Sequence, residues 1–283
     1  MKIYFAAHST TKDNEAETSS GWKDVELSNL GIQQSKEMGE RLRDIKIDLI
    51  CCSDLKRAVE TVKIAFGDKY LIIVDKRLRE LNYGDFNGKP SKIVELMKKD
   101  HIKEPFPKGE SYEQAMLRVH EFLSEITEKY PNKTVLIVGH RATQYGLDTL
   151  VGKTLKECLE KPFKWRPYWE YKLPKIMGFH ESAVPQIFDG KISTWRLRDH
   201  KLKAGDIVAF ENSQAGEIFG YGKITEVAET TVGKIDLKDR KHYKTYENRQ
   251  ELIEAFKRHN PTYRINNNTP VFAYTYKFKK KSK

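Results

Sequence analysis

Lys2-Ile3-Tyr4-Phe5-Ala6-Ala7 runs without a break into His8-Ser9-Thr10-Thr11-Lys12-Asp13-Asn14-Glu15. An apolar run that gives way to a polar, turn-prone stretch reads as a buried strand ending in a loop. A histidine on the C-terminal lip of such a strand can accept a phosphoryl group as a nucleophile. Taken alone, His8 reads better as a strand-end histidine with its hydrogen bonds satisfied. The rest of the chain changes that balance.

Further apolar runs, Leu49 to Cys52, Leu71 to Val74 and Thr134 to Val138, read as strands like Ile3 to Ala6. Helical patterns lie between them. Asn29 to Asp44 spaces Leu30, Met38 and Leu42 at helical intervals, Lys56 to Phe66 repeats the pattern, and Ser111 to Lys129 carries Tyr112, Ala115, Val119, Phe122 and Ile126. Strands alternating with helices predict an α/β layer with a largely parallel sheet. Open sheets of this kind place their sites beyond the carboxyl ends of strands, and His8 and His140 both follow a strand end.

Tyr168 to Leu173 reads as a last edge strand, which Pro174 stops, opening a linker toward Met177 and Phe179. The pattern then changes to short β segments at Thr194 to Leu197, Asp206 to Glu211, Gly222 to Val227 and Val271 to Lys277, with one helix from Asn248 to His259. Two domains are expected, residues 1–173 and 177–283, the second a small α+β domain built as a β-barrel.

Charge is unevenly spread: of the net +11, about +3 falls before Pro174 and about +8 after it. The C-terminal part is therefore the better candidate for reading a polyanion, against the plainer alternative of a solvated basic surface. Its tail, Lys277-Phe278-Lys279-Lys280-Lys281-Ser282-Lys283, could grip phosphates or serve as frayed solubilising charge. Cys51, Cys52 and Cys158 make no disulfide or metal-binding framework and read as small core residues of a cytoplasmic protein. No apolar run has the length of a membrane span, and Met1 leads into a core strand, not a signal peptide. No metal and no cofactor is expected.

Five blocks of the first half, in order, resemble the histidine phosphatase superfamily, which includes the phosphoglycerate mutases. They are the opening strand with His8, Leu27-Ser28-Asn29-Leu30-Gly31-Ile32-Gln33-Gln34, Ser53-Asp54-Leu55-Lys56-Arg57-Ala58-Val59-Glu60-Thr61, Leu78-Arg79-Glu80-Leu81-Asn82-Tyr83-Gly84-Asp85-Phe86-Asn87-Gly88, and Val138-Gly139-His140. The resemblance covers about residues 1 to 173 and implies the three-layer fold of that family. It implies His8 as nucleophile, Arg57 and His140 as charges on the equatorial oxygens of the transferring phosphoryl group, and Glu80 as the acid for the leaving alkoxide. Glu80 would need a pKa raised by burial and by the bound phosphate. Glu110 is the backup acid, against a carboxylate that merely faces a helix start. Asn14 either donates to phosphate or caps its own turn. Ser9 stands where the family often has glycine, and Arg141 joins the substrate-binding positions beside His140.

Ala7 is the departure, because the family places arginine there as a clamp on the phosphate. Three readings follow: a substitution made to trap substrate, a natural change compensated by another cation, or a protein that has lost catalysis. The intact remaining blocks favour the first. About 50 residues separate Glu80 from the strand before His140, too few for the extended lid of a glycolytic mutase, so phosphatase is favoured over mutase. Lys99 to Lys108, with Lys99, His101, Lys103 and Lys108, is the expected substrate-facing loop. Its basic character suits a phosphorylated small molecule, a nucleotide or an RNA end.

Residues 177 to 283 resemble an ASCH domain of the PUA-like group. Phe188-Asp189-Gly190-Lys191-Ile192-Ser193-Thr194-Trp195-Arg196, Lys203-Ala204-Gly205-Asp206-Ile207-Val208 and Tyr246-Glu247-Asn248-Arg249-Gln250-Glu251-Leu252 carry the likeness. It implies either an amidohydrolase acting on acylated cytidine through Lys191, Thr194 and Glu247, or a binding module. In the second, favoured reading Lys191, Arg196, Arg198, Lys201 and Lys203 beside Trp195 form a basic and aromatic patch for RNA or a nucleotide.

Overall fold

A computed structural model of the protein describes residues 1–131, 133–160 and 163–281. Residues 282 and 283 of the lysine-rich tail lie outside the described residues. In chain order the first half forms β1 (Lys2–Ala7), α1 (Lys12–Glu15), β2 (Thr18–Ser19), α2 (Asn29–Arg41), β3 (Leu49–Cys52), α3 (Lys56–Phe66), β4 (Ile72–Val74), β5 (Lys89–Pro90), α4 (Ser91–Met97), α5 (Tyr112–Lys129), β6 (Thr134–Gly139), α6 (Arg141–Leu150), α7 (Leu155–Glu160) and β7 (Trp169–Lys172). The second half forms β8 (Lys175–Phe179), α8 (Val184–Phe188), β9 (Ser193–Arg196), β10 (Ile207–Asn212), β11 (Glu217–Thr231), α9 (Arg249–His259) and β12 (Pro270–Lys280).

The chain divides into two compact units, one of Met1–Lys175 with Gln214–Ile218, the other of Ile176–Ser213 with the chain from Phe219 onward. The first is built on a five-stranded sheet of order β4-β3-β6-β1-β7. All neighbours are parallel except β7, which runs antiparallel to β1 at the edge. Both faces of the central strands are buried, as continuous apolar runs require. Tyr4 and Ala6 of β1 pack with Leu42, Val62 and Phe66 on the side of α2 and α3, while Ile3 and Phe5 are buried on the opposite face. All three cysteines are free and buried in this core, and burial pushes the Cys52 thiol up to about 12.

Local chemistry fixes the helix starts that frame the site. Thr11 and Asn14 close a capping box on α1, Ser28 caps α2 through Gly31 N, and Ser111 with Gln114 closes a second box on α5. Gly31 is needed because a Cβ there would fall 1.9 Å from the Thr10 carbonyl oxygen, so only glycine lets α2 pack against the loop after His8. The helix expected over Asn29 to Asp44 stops at Arg41, with Leu42 at the C-cap.

In the second unit the sheet order is β8-β10-β11-β12-β9. Its end strands meet through a side chain: Arg196 of β9 donates to the Gly178 carbonyl of β8 at 2.8 Å and lies 4.7 Å over the Phe179 ring. The sheet is thereby curled, with a guanidinium across the seam. Two expectations are corrected here. The segment read as a linker beyond Pro174 is strand β8, because Met177 and Phe179 bury their side chains in the second core. Lys277 to Lys280 belong to strand β12 and are not a frayed tail, since Lys277, Phe278 and Lys279 pair with Lys223, Gly222 and Tyr221.

Candidate active site

The parallel register of β1 and β6 sets Ala7 opposite Gly139, so the residues that follow, His8 and His140, emerge side by side. Their rings stand 4.9 Å apart, and His8 N donates to the Gly139 carbonyl at 2.9 Å. Gly139 cannot carry a side chain, because a Cβ would sit 2.5 Å from Thr143 Oγ1, the hydroxyl that receives His140 N and in turn donates to Leu78 O. One turn thus ties both histidines to the segment leading to Glu80.

His8 Nδ1 lies 2.8 Å from the Ser9 carbonyl, which can only accept, so Nδ1 carries the proton and Nε2 keeps its lone pair. Arg57 Nε points at that lone pair from 3.3 Å. Burial first, and the Arg57 charge second, push the His8 pKa down to about 3, leaving a neutral imidazole at physiological pH. Burial pushes His140 down as well, and neither of its ring nitrogens has a hydrogen-bond partner. A buried ring with both nitrogens unpaired is costly without a ligand. Arg57 is 2% exposed and is locked by donating to the carbonyls of Gly21 at 2.8 Å and Lys23 at 3.0 Å.

Glu80 sits at the start of α6. Its carboxylate accepts the backbone N–H of Arg141 and Ala142, each at 3.1 Å, and of Leu81 at 2.8 Å. His8, Arg57, Glu80 and His140 all line one cleft of about 700 Å³. Ala7, Asn14 and Arg141 line it too. The Asn14 side-chain oxygen closes the α1 capping box, so the residue combines the capping role with a place on the cleft wall.

Two expected site residues lie elsewhere. Ser9 receives a bond from Ser35 Oγ at 2.8 Å and its amide donates to Thr61, which turns it into the packing between β1, α2 and α3. Glu110 is paired with Arg118, at 2.6 Å and 3.0 Å, and receives Asn82 N. It is part of a scaffold, since Arg118 also donates to the carbonyls of Arg77, Arg79 and Glu80. The loop Lys99 to Lys108 does not line the cleft among the described residues: His101 stacks on Phe106 at 3.9 Å and Lys108 pairs with Asp85. The basic cleft residue from this region is Lys98, which pairs with Glu95.

Sequence reasoning missed Arg118, whose clamp on 77–80 has no local signature. It also missed the aromatic wall of Tyr83, Tyr145, Phe163 and Trp165. A signal for the last two was present, the run Phe163-Lys164-Trp165-Arg166.

In the second unit the expected open patch is not formed. Lys191 and Trp195 are 5% and 9% exposed. The His242 ring lies on Trp195 at 3.7 Å and 4°, and Lys191 Nζ donates to the His242 carbonyl at 2.7 Å. Burial lowers Lys191 to about 7, Arg196 to about 10 and His242 to about 2. Thr194 is buried nearby on β9, whereas Glu247 is exposed and pairs with Lys238 at 3.2 Å. Cations that close a seam or pin a buried ring are spent on structure. The outer ones, Arg198, Lys201 and Lys203, are exposed.

The profile of the histidine phosphatase superfamily (branch 1) matches residues 3–163, and the chain belongs to that family of phosphatases and mutases. Among its relatives is the uncharacterized phosphatase PhoE of Bacillus subtilis, 34% identical over 148 residues, which are 52% of this chain and 75% of PhoE. The 2,3-bisphosphoglycerate-dependent phosphoglycerate mutase of Streptococcus mutans is 30% identical over 202 residues, covering 68% of this chain and 76% of the mutase. Among solved structures, YhfR of Bacillus stearothermophilus superposes with a TM-score of 0.53 at 27% identity, covering 60% of this chain and 89% of YhfR. No helix among the described residues is long and apolar enough to cross a membrane.

Proposed function

We propose that the first unit is a phosphomonoesterase that works through a phosphohistidine at His8. The observation that carries this reading is the neutral His8 Nε2 presented beside Arg57 and His140 in one cleft. His8 Nε2 attacks phosphorus in line, the ester P–O bond breaks, and a P–N bond forms. The Nδ1–H bond to the Ser9 carbonyl steadies the positive charge this leaves on the ring. Arg57 and the N–H of the neutral His140 ring donate to the equatorial oxygens. Glu80 gives the leaving oxygen its proton, trading a bond from the start of α6 for the substrate. Water then splits the P–N bond, frees inorganic phosphate and returns the proton to Glu80.

The ester is that of a phosphorylated small molecule, and the aromatic wall of Phe163 and Trp165 favours a nucleotide or an RNA end. In the second unit we infer an ASCH-like module of the PUA-like group that binds a nucleotide or RNA through its exposed cations. The reading is tested by acid-quench labelling with a phosphomonoester carrying labelled phosphate. Label should appear on the chain and vanish in His8→Ala. A chain that releases phosphate without ever carrying label would sink it.

A further inference from the structure

The cleft at His8 has a neighbour. A cavity of about 370 Å³ lies on the other side of Arg141 and Tyr145, which line both. The wall between them is continued by residues 163–166. Along this segment the lining of the two cavities alternates. Phe163 and Trp165 line the His8 cleft, and Lys164 and Arg166 line the second cavity.

The second cavity is strongly cationic. Arg141, Lys153, Lys164 and Arg166 line it together with one carboxylate, Asp148. That carboxylate is already satisfied, by Lys153 Nζ at 2.9 Å and by the Tyr171 hydroxyl at 2.9 Å. No carboxylate among the described residues pairs with Lys164 or Arg166. A separate observation points the same way. Gln144, on the same wall, is 6% exposed, and its Oε1 is buried without a partner. An unpaired buried acceptor calls for a donor from a ligand. A hydrogen phosphate group supplies both, anionic oxygens for the cations and a P–OH for the amide oxygen.

We propose that this cavity is a second phosphate site, separate from the one at His8. Its occupant is either a second phosphoryl group of the molecule bound at His8 or the phosphate of an independent effector. The first of these sources rests on the phosphomonoesterase reading, whereas the site itself does not.

Titration calorimetry of the full chain with inorganic phosphate at low salt counts the sites. Two phosphates are expected to bind. Lys164→Glu with Arg166→Glu, both at exposed positions, should remove one and leave the other. His8→Ala supplies the complementary arm: its effect bears on the His8 cleft alone, so failure of the phosphomonoesterase reading and failure of this site are read from different variants. A single phosphate in the wild type that the charge reversal leaves intact overturns the second site, whereas a single phosphate that the charge reversal removes and His8→Ala retains upholds it and counts against the site at His8. Adenosine 3′,5′-bisphosphate against AMP then separates the sources. One bisphosphate bound about tenfold more tightly than AMP, with the gain lost in the double variant, assigns the site to the substrate's own second phosphate. No gain, with two phosphates still bound, assigns it to a separate effector.

Discussion

The two units bury the same kinds of side chain and use them in opposite ways. At His8 two imidazoles and a guanidinium are buried around a cleft, with Nε2 of His8 turned toward Arg57 and both nitrogens of His140 unpaired. In the second unit a lysine, a guanidinium and an imidazole are buried and held by the protein itself: His242 covers the Trp195 face, Lys191 donates to the His242 carbonyl and Arg196 bridges the sheet ends. Burial lowers His8 and His242 alike, to about 3 and about 2. A perturbed pKa therefore does not distinguish the two places. What distinguishes them is a strand register that delivers two histidines to a space large enough for a substrate.

The largest effect that would break this contrast is loss of the nucleophile. His8→Ala should lower kcat/KM for 4-nitrophenyl phosphate by on the order of 10³ or more, whereas His242→Ala should leave it within about twofold. Equal losses in both would mean that the units do not divide the work as their geometry indicates. Next comes the missing clamp. Ala7 lines the cleft, so Ala7→Arg places a guanidinium in the same space and should raise kcat/KM by about 10². If the protein with Ala7 is already fast and the arginine adds nothing, Arg57 and Arg141 supply the compensation, and the trapping interpretation of Ala7 is wrong.

Acid sensitivity sharpens the contrast differently, because here the two histidines should behave alike. Each has a native pKa below its unfolded value of about 6.5, so the unfolded chain binds more protons in the interval between them. Stability present above about pH 6.5 is lost as pH falls toward 3. Allowing for the opening of the His8 cleft to water, each group should contribute on the order of 1 kcal/mol per pH unit. Urea midpoints measured from pH 7 to pH 4 should fall less steeply in His8→Ala and in His242→Ala than in the parent. An unchanged slope in either variant would show that its imidazole is already charged in the native state.

Much of the first unit was legible because its strands are buried on both faces and its helix caps are local, so periodicity and capping residues carry the pattern. His8, Arg57, Glu80 and His140 were legible as a set through the order of their blocks. Ser9 and Glu110 misled for a common reason: a polar side chain beside a site is also beside the packing that holds the site, and only coordinates show which way it turns. Arg118 acts through three backbone carbonyls, which leave no mark in the sequence. In the second unit the sequence reading joined Arg196 to Trp195 in one patch, whereas alternation along β9 puts Thr194 and Arg196 on one face and Trp195 on the other. It carried no information on what covers each face, and His242, 47 residues beyond Trp195, could not be foreseen there.

The smallest expected effect tests whether the covered cluster takes any part in ligand binding. Lys201 and Lys203 are exposed, so each can meet a phosphate of single-stranded RNA and release its counterion. Lys201→Ala with Lys203→Ala should weaken RNA binding by about fivefold at low salt and reduce the slope of log affinity against log salt by about 1.4, roughly 0.7 for each phosphate no longer neutralised. Lys191→Met keeps the length and apolar stem of a buried pin and removes only its charge. It should leave both affinity and slope unchanged, because Nζ is held by the His242 carbonyl and not by solvent. A loss with Lys191→Met equal to that of the double variant, in a protein of unchanged thermal stability, would mean that His242 swings off Trp195 to admit a base. The cluster would then be a closed state of the binding site. A parent chain that binds no RNA or nucleotide through this unit would sink the binding-module reading altogether and leave the buried cations as structural pins alone.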